Sequence, residues 1–315
     1  MRTETTDPKE EISLKGKHLL TWKDYSRKEI IHLLERALVL KQSPYSGALS
    51  QKTLAMIFEK SSTRTRVSFE VGMTQLGGTA INLNSRDMQL GRGETIGDTA
   101  KVLSRYVDGI MIRTDAHQKL EELAGNGSVP VISGLCDLYH PCQALADMLT
   151  VYEQKGQLAG VKLVYTGDGN NVAHSLMTIG AILGLEVVVA SPSGYWPLDF
   201  ITGNAKKLAA KHGGSVTVTE NVEEAAAGAD ILYTDVWTSM GQDGEEKERK
   251  EALFPYQINE RLVTAAKPDV SVLHCLPAHR EEEITKEVME GEHSFVFEQA
   301  ENRLHVQKAI LEALL

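Results

Sequence analysis

Two arginines stand where a cation is locally unwelcome. Ser62-Thr63-Arg64-Thr65-Arg66 follows a short apolar run, Leu54 to Phe58. It leads into Phe69, Met73 and Leu76, which recur at i, i+4 and i+7 as one helix face ending at Gly77-Gly78. Hydroxyl residues are the preferred N-cap chemistry. A helix N-terminus, however, already carries about half a positive charge, so Arg64 and Arg66 in its first turn are unfavourable by themselves. An anion would reconcile them. Free backbone N–H groups, hydroxyls and guanidinium forks converging on one point describe a phosphate or carboxylate site. The competing reading is an ordinary capped helix with two solvated arginines.

The other polar residues of note fall at the ends of apolar runs. Arg113 closes Gly109 to Ile112, and His140-Pro141-Cys142-Gln143 opens a helix. Gly167-Asp168-Gly169-Asn170-Asn171 follows Val161 to Tyr165, Asp235 follows Ile231 to Thr234, and His274-Cys275-Leu276-Pro277 ends the last run. In open α/β sheets ligands bind outside the carboxyl ends of the strands. The first half offers cations and hydroxyls; the second offers an acid, an amide, a thiol and carbonyls. The simplest reading is an anion on one side of a cleft and an ammonium compound on the other. Cys275 would supply a thiol or thiolate that orients an amine and influences its proton loss. Each residue has a plainer alternative. Arg113 could pair with Asp108 or Asp115, His140 could cap the next helix, and Cys275 could be a small buried strand-end residue.

Gly167 and Gly169 resemble the start of a dinucleotide fingerprint, but Val172 stands where the third glycine belongs. The following run ends in Ala190-Ser191-Pro192, without the acid a ribose needs, so these glycines read as a tight turn rather than an NAD site. His274, Cys275 and His279 lack the spacing of a zinc site. No cofactor and no metal is called for.

The elements that must hold these residues follow from periodicity. Ser26 with Glu29 forms a capping box before a helix whose Ile30, Leu33, Leu34, Ala37 and Leu38 make one buried stripe. Short apolar runs then alternate with helical patterns to the end of the chain. That pattern predicts an α/β protein with two doubly wound parallel-sheet domains and the active site in the cleft between them. The boundary is set beside the helix running from Cys142 to Gly156: residues 1–148 with 299–315 form the first domain, and 149–298 the second. The last helix, about Glu298 to Leu314, returns to the first. The polar stretch Asn84 to Thr95 is too long for a simple connection, which marks it as functional. The charge run Glu245 to Glu251 reads as a solvated surface or mobile loop, within a lid-like stretch from Thr238 to Phe254.

With 315 residues the chain has room for two cores. Its net charge of −10 argues against a nucleic-acid partner, so the arginines make a local cationic pocket on an acidic molecule. Three cysteines, an odd number, indicate free thiols in a reducing compartment. A polar, acidic N-terminus and the lack of any membrane-length apolar run complete the expectation of a cytoplasmic protein with no membrane partner.

Taken together the motifs resemble those of the carbamoyltransferase family. Ser62-Thr63-Arg64-Thr65-Arg66 looks like its carbamoyl-phosphate signature and His140-Pro141-Cys142-Gln143 like its second phosphate-side motif. Asp235-Val236-Trp237-Thr238-Ser239-Met240-Gly241 and His274-Cys275-Leu276-Pro277 are similar to the loops of the branch that uses ornithine. The resemblance spans residue 15 or so to the end, with the motifs in order. It implies that Ser62, Thr63, Arg64 and Thr65 hold phosphate, with Arg113 bridging phosphate and carbonyl. It implies that His140, Gln143 and Arg303 serve the carbamoyl end, and that Gln89 reaches carbamoyl phosphate in a neighbouring subunit of a trimer. Asn171, Asp235, Ser239 and Met240 would hold the amino acid, and Cys275 and Leu276 its side-chain amine. The implied reaction is carbamoyl transfer from carbamoyl phosphate to the δ-amine of L-ornithine, in arginine metabolism, by a homo-oligomer of one or more trimers. A relative using aspartate would call for a basic residue where this chain has Ser239-Met240-Gly241.

Overall fold

The first helix, α1 (Arg27–Gln42), starts with the expected reciprocal cap. Ser26 Oγ accepts from the Glu29 N–H at 3.3 Å, and Glu29 Oε2 accepts from the Ser26 N–H at 2.6 Å. Its buried face is Ile30, Leu33, Leu34, Ala37 and Leu40, with Leu38 only partly covered. The computed structural model describes residues 12–89, 93–238 and 244–315.

After α1 come β1 (Thr53–Phe58), α2 (Arg64–Gln75), β2 (Thr79–Asn84), α3 (Ile96–Leu103), β3 (Gly109–Arg113), α4 (His117–Asn126) and β4 (Val131–Leu135). The strands form a parallel sheet in the order β2-β1-β3-β4. β4 begins at Val131, later than the apolar run, because Pro130 has no N–H to offer a ladder. The order reverses between β1 and β3, so the loops leaving those two strands diverge and open a crevice at their carboxyl ends. Arg64 and Arg113 stand there.

A long buried helix, α5 (Pro141–Lys155), leads to the second sheet and ends at Gly156 in the left-handed region, φ 70°. Next follow β5 (Lys162–Thr166), α6 (Asn171–Leu183), β6 (Glu186–Ala190), α7 (Asp199–His212), β7 (Ser215–Thr219), α8 (Val222–Ala226) and β8 (Ile231–Thr234). α9 (Glu246–Leu253), α10 (Glu260–Ala265), β9 (Ser271–His274), α11 (Lys286–Met289) and α12 (Val296–Leu314) complete the chain. This sheet is also parallel, in the order β7-β6-β5-β8-β9, with its reversal between β5 and β8. The loops after β5 and β8 carry Gly167–Asn170 and Asp235. α12 packs against α1, α2 and α5.

The charge run Glu245 to Glu251 is neither a loop nor wholly solvated. It forms most of α9, where Lys250 pairs with Glu246 at i, i+4 and 2.8 Å and Arg249 is buried. Among the described residues, no helix is long and apolar enough to cross a membrane.

Candidate active site

The two crevices face each other across a cleft of about 1340 Å³. On the first-sheet side, α2 begins immediately beyond β1. Thr63 occupies the N-cap position but makes no side-chain cap bond; Ser62 Oγ accepts from the Thr65 N–H instead, at 3.2 Å. The Thr63 hydroxyl is thereby left to the cleft. Arg64 reaches across, donating from Nη2 to the Leu276 carbonyl at 2.6 Å. Thr65 Oγ1 accepts from Arg303 Nη2 at 3.3 Å.

Three guanidinium groups, from Arg64, Arg113 and Arg303, line this side. Burial first, and then the charges of Arg303 and Arg64, lower Arg113 to about 10. Burial also lowers Arg303, with Arg64 adding to the effect. His140 is held well below its ordinary value by burial and then by the three arginines, so its imidazole is neutral. Arg113 Nε, Arg303 Nε and His140 Nδ1 are buried and make no hydrogen bond within the chain. Like charges gathered with spare donors lack one thing, an anion.

On the opposite side, Gly167 has φ 117°, and a Cβ on Gly169 would collide with the backbone of Pro197, so only glycine fits this turn. The turn is closed by Asn170, whose Oδ1 accepts from the N–H groups of Val172 and Ala173 at the start of α6. Asn170 Nδ2 donates to Asp235 Oδ2 at 2.8 Å. Asp235 Oδ1 accepts from the Val236 N–H at 2.8 Å and from Cys275 Sγ at 2.9 Å. Burial, and then the Asp235 charge beside it, push the Cys275 thiol well above its ordinary value. Of the thiol and the thiolate, the geometry fits the thiol, whose S–H donates to the Asp235 carboxylate. His274 is engaged internally: Nδ1 accepts from the Leu276 N–H at 2.9 Å, leaving Nε2 to donate to Glu283 at 2.9 Å. That removes it as a free metal ligand.

The structure brings together in one cleft Ser62, Thr63, Arg64, Thr65, Arg113, His140, Asn171, Asp235, Cys275, Leu276 and Arg303. Asn171 lines it while donating from Nδ2 to the Cys136 carbonyl at 2.6 Å. Gln143 is buried behind the wall rather than in it, accepting from Arg303 Nη1 at 2.6 Å. Gln89 is exposed and outside the cleft lining of this chain. Ser239 and Met240 lie outside the described residues.

Sequence reasoning gave Asp168 and Arg249 no role. Arg249 donates from Nε to the Trp237 carbonyl at 2.7 Å and from Nη2 to Asp168, whose carboxyl burial raises to about 6. It also passed over Asp147, wholly buried and pushed up to about 7 by burial, against the donors Gln143, Gln299 and Tyr233. The available signal was a polar pair, Gln143 and Asp147, one turn apart in the otherwise apolar stretch Pro141 to Leu149.

Asp147 carries a pH prediction. Its carboxyl titrates at about 7 in the native chain against an ordinary value of 3.8, so between those values only the native state holds the proton. The stabilisation is complete below the unfolded value and lost as pH rises through the native one. Wild type should therefore gain stability relative to Asp147→Asn as pH falls from about 8 to about 5 in urea-unfolding measurements. A gap that stays constant with pH would contradict this.

Family models match both halves of the chain: "Aspartate/ornithine carbamoyltransferase, carbamoyl-P binding domain" over residues 17–153, and "Aspartate/ornithine carbamoyltransferase, Asp/Orn binding domain" over residues 159–314. The chain belongs to the aspartate/ornithine carbamoyltransferase family and is a transferase. Within the family its similarity is to proteins named for ornithine. The ornithine carbamoyltransferase of Bacillus subtilis is 60% identical over 305 residues, covering 97% of this chain and 96% of that one. The ornithine carbamoyltransferase structure from Pyrococcus furiosus superposes with a TM-score of 0.93 at 53% identity, covering 96% of this chain and 98% of that one. The anabolic ornithine carbamoyltransferase structure from Campylobacter jejuni gives 0.90 at 42% identity, covering 94% and 97%.

Proposed function

We propose that the chain transfers the carbamoyl group from carbamoyl phosphate to the δ-amine of L-ornithine, giving L-citrulline and phosphate, in arginine biosynthesis. The observation that carries this reading is the opposition across one cleft of three arginines and an acid–thiol pair, buried Asp235 with half-buried Cys275. Carbamoyl phosphate belongs with residues 1–148 and 299–315, and ornithine with 149–298. Ser62, Thr63, Arg64 and Thr65 hold phosphate, and Arg113 bridges it to the carbonyl. Thr65, Arg113 and neutral His140 stabilise negative charge growing on the carbonyl oxygen. Arg303 lies against the carbamoyl group, and Gln143 serves it by fixing Arg303. Gln89, exposed and outside the lining of its own cleft, suits the site of a neighbouring subunit in a trimer or an assembly of trimers.

The amine nitrogen attacks the carbamoyl carbon, the carbon–oxygen bond to phosphate breaks, and phosphate leaves with the electron pair. The nitrogen sheds one proton, which departs with phosphate in the overall balance. An alkyl ammonium has a pKa near ~10.4, so the neutral amine is scarce at neutral pH. Asn171, Asp235, Ser239 and Met240 hold the amino acid, while Cys275 and the Leu276 carbonyl aim the amine. The setting is the cytoplasm. The testing assay is citrulline formation with a panel of amines: ornithine should react, and lysine, putrescine and aspartate should not. Equal turnover of any of these with ornithine would overturn the assignment.

Cys275→Ala should lower kcat and raise the KM for ornithine while sparing carbamoyl phosphate, and Cys142→Ala should do far less. A titrating thiolate would shift the pH–rate profile in Cys275→Ala. With the thiol neutral, the rise of kcat/KM with pH should keep its midpoint, because the scarce neutral amine governs it. A moved midpoint would show that the sulfur itself titrates.

A further inference from the structure

We propose that Asp147 is a positioning residue that couples the anion side of the cleft to the amine side through one buried hydrogen-bonded chain. This rests on the carbamoyl-transfer reading and adds a residue that does not touch substrate. The chain starts at Arg303, which donates to Thr65 Oγ1 at 3.3 Å and to Gln143 Oε1 at 2.6 Å. Gln143 Nε2 donates to Asp147 Oδ1 at 2.7 Å, and Gln299 Nε2 donates to the same oxygen at 2.7 Å. Gln299 Oε1 accepts from the backbone N–H of His274 at 2.8 Å. The next residue is Cys275, bonded to Asp235 at 2.9 Å.

Two helical spacings build this chain. Gln143 and Asp147 are one turn apart on α5, and Gln299 and Arg303 are one turn apart on α12, so the two pairs meet where the helices cross. Tyr233 Oη from β8 donates to Asp147 Oδ2 at 3.2 Å, bringing the second sheet to the same carboxyl. Asp147 and Gln299 are completely buried and Arg303 nearly so. A dry network is costly to leave half-satisfied, so it favours few arrangements. Carbamoyl phosphate, whose carbamoyl end draws on Arg303, thereby acts on Gln143, Asp147 and Gln299, and through them on the backbone carrying Cys275. Without Asp147 the two glutamine amides have no common acceptor, and the halves of the site respond separately.

Coupling is a ratio of affinities, and it is reciprocal. Norvaline, which lacks the δ-amine, is a non-reacting probe of the amine side. Its affinity is measured calorimetrically with and without saturating carbamoyl phosphate. In wild type the ratio should fall in the ordinary range of roughly 5–150-fold. At about pH 8, above the titration of the carboxyl at about 7, Asp147→Asn is nearly isosteric but removes the charge and turns one acceptor into a donor; it should still bind norvaline, with a ratio below about twofold. Should Asp147→Asn not fold, Tyr233→Phe deletes one of the three donors and should lower the ratio by at least about twofold. A wild type without coupling, or a folded variant that keeps the wild-type ratio, would overturn the proposal. Citrulline formation by wild type reports separately on the transfer reading, because its failure would leave the norvaline ratio still measurable.

Discussion

Arg64→Ala should weaken carbamoyl phosphate binding by roughly 10- to 150-fold, since a hydrogen bond to a charged group is worth about 1.5–3 kcal/mol. The direction of its effect on stability should be small or favourable, because a cation leaves a positive helix end. The lost bond to the Leu276 carbonyl works the other way, but Arg64 is exposed and that carbonyl can be solvated. Arg64→Lys should rescue only part of the affinity, since an ammonium offers a point charge in place of a planar fork. The KM for carbamoyl phosphate and the urea midpoint check both statements. An unchanged KM would remove Arg64 from the anion site.

Asp235→Asn should cost more, and on the other substrate. The carboxylate accepts from Cys275, Asn170 and the Val236 N–H while nearly buried. An asparagine amide would turn one donor toward donors and remove the charge that ornithine's ammonium meets. Truncating one partner of a buried, hydrogen-bonded charge pair costs about 2–5 kcal/mol, or roughly 30- to 5000-fold in ornithine affinity. Carbamoyl phosphate should bind Asp235→Asn as it binds wild type, because the arginines stand on the opposite side of the cleft, on α2, β3 and α12. Equal losses for both substrates would mean that Asp235 holds the cleft together rather than the amino acid.

Much of this was legible in the sequence because it depended on local chemistry. Arg64 and Arg66 stood out since a helix start disfavours cations, and Gly109 to Arg113 is a strand with the bounds its apolar run suggested. What stayed hidden depended on neighbours distant in the chain. Arg249 looked like one charge among several until its burial against Asp168 and the Trp237 carbonyl was seen. Which hydroxyl caps α2, Ser62 rather than Thr63, follows from loop geometry. The protonation of Cys275 required knowing that the Asp235 carboxylate is its hydrogen-bond partner. Gln143 read as a substrate ligand because its motif carries it beside His140, yet the helix turns it onto Arg303 and Asp147.

The most direct measurement is a crystal structure of the chain with a non-reactive bisubstrate compound, in which a phosphonoacetyl group is joined to the δ-nitrogen of ornithine. The phosphonate should lie against Ser62, Thr63, Arg64, Thr65 and Arg113 at the start of α2, with the adjoining carbonyl beside His140 and Arg303, the amino-acid end against Asn171 and Asp235 and the linking nitrogen beside Cys275. A compound bound in the opposite direction, or outside the cleft between the two sheets, would contradict the assignment of anion and amine to facing sheets.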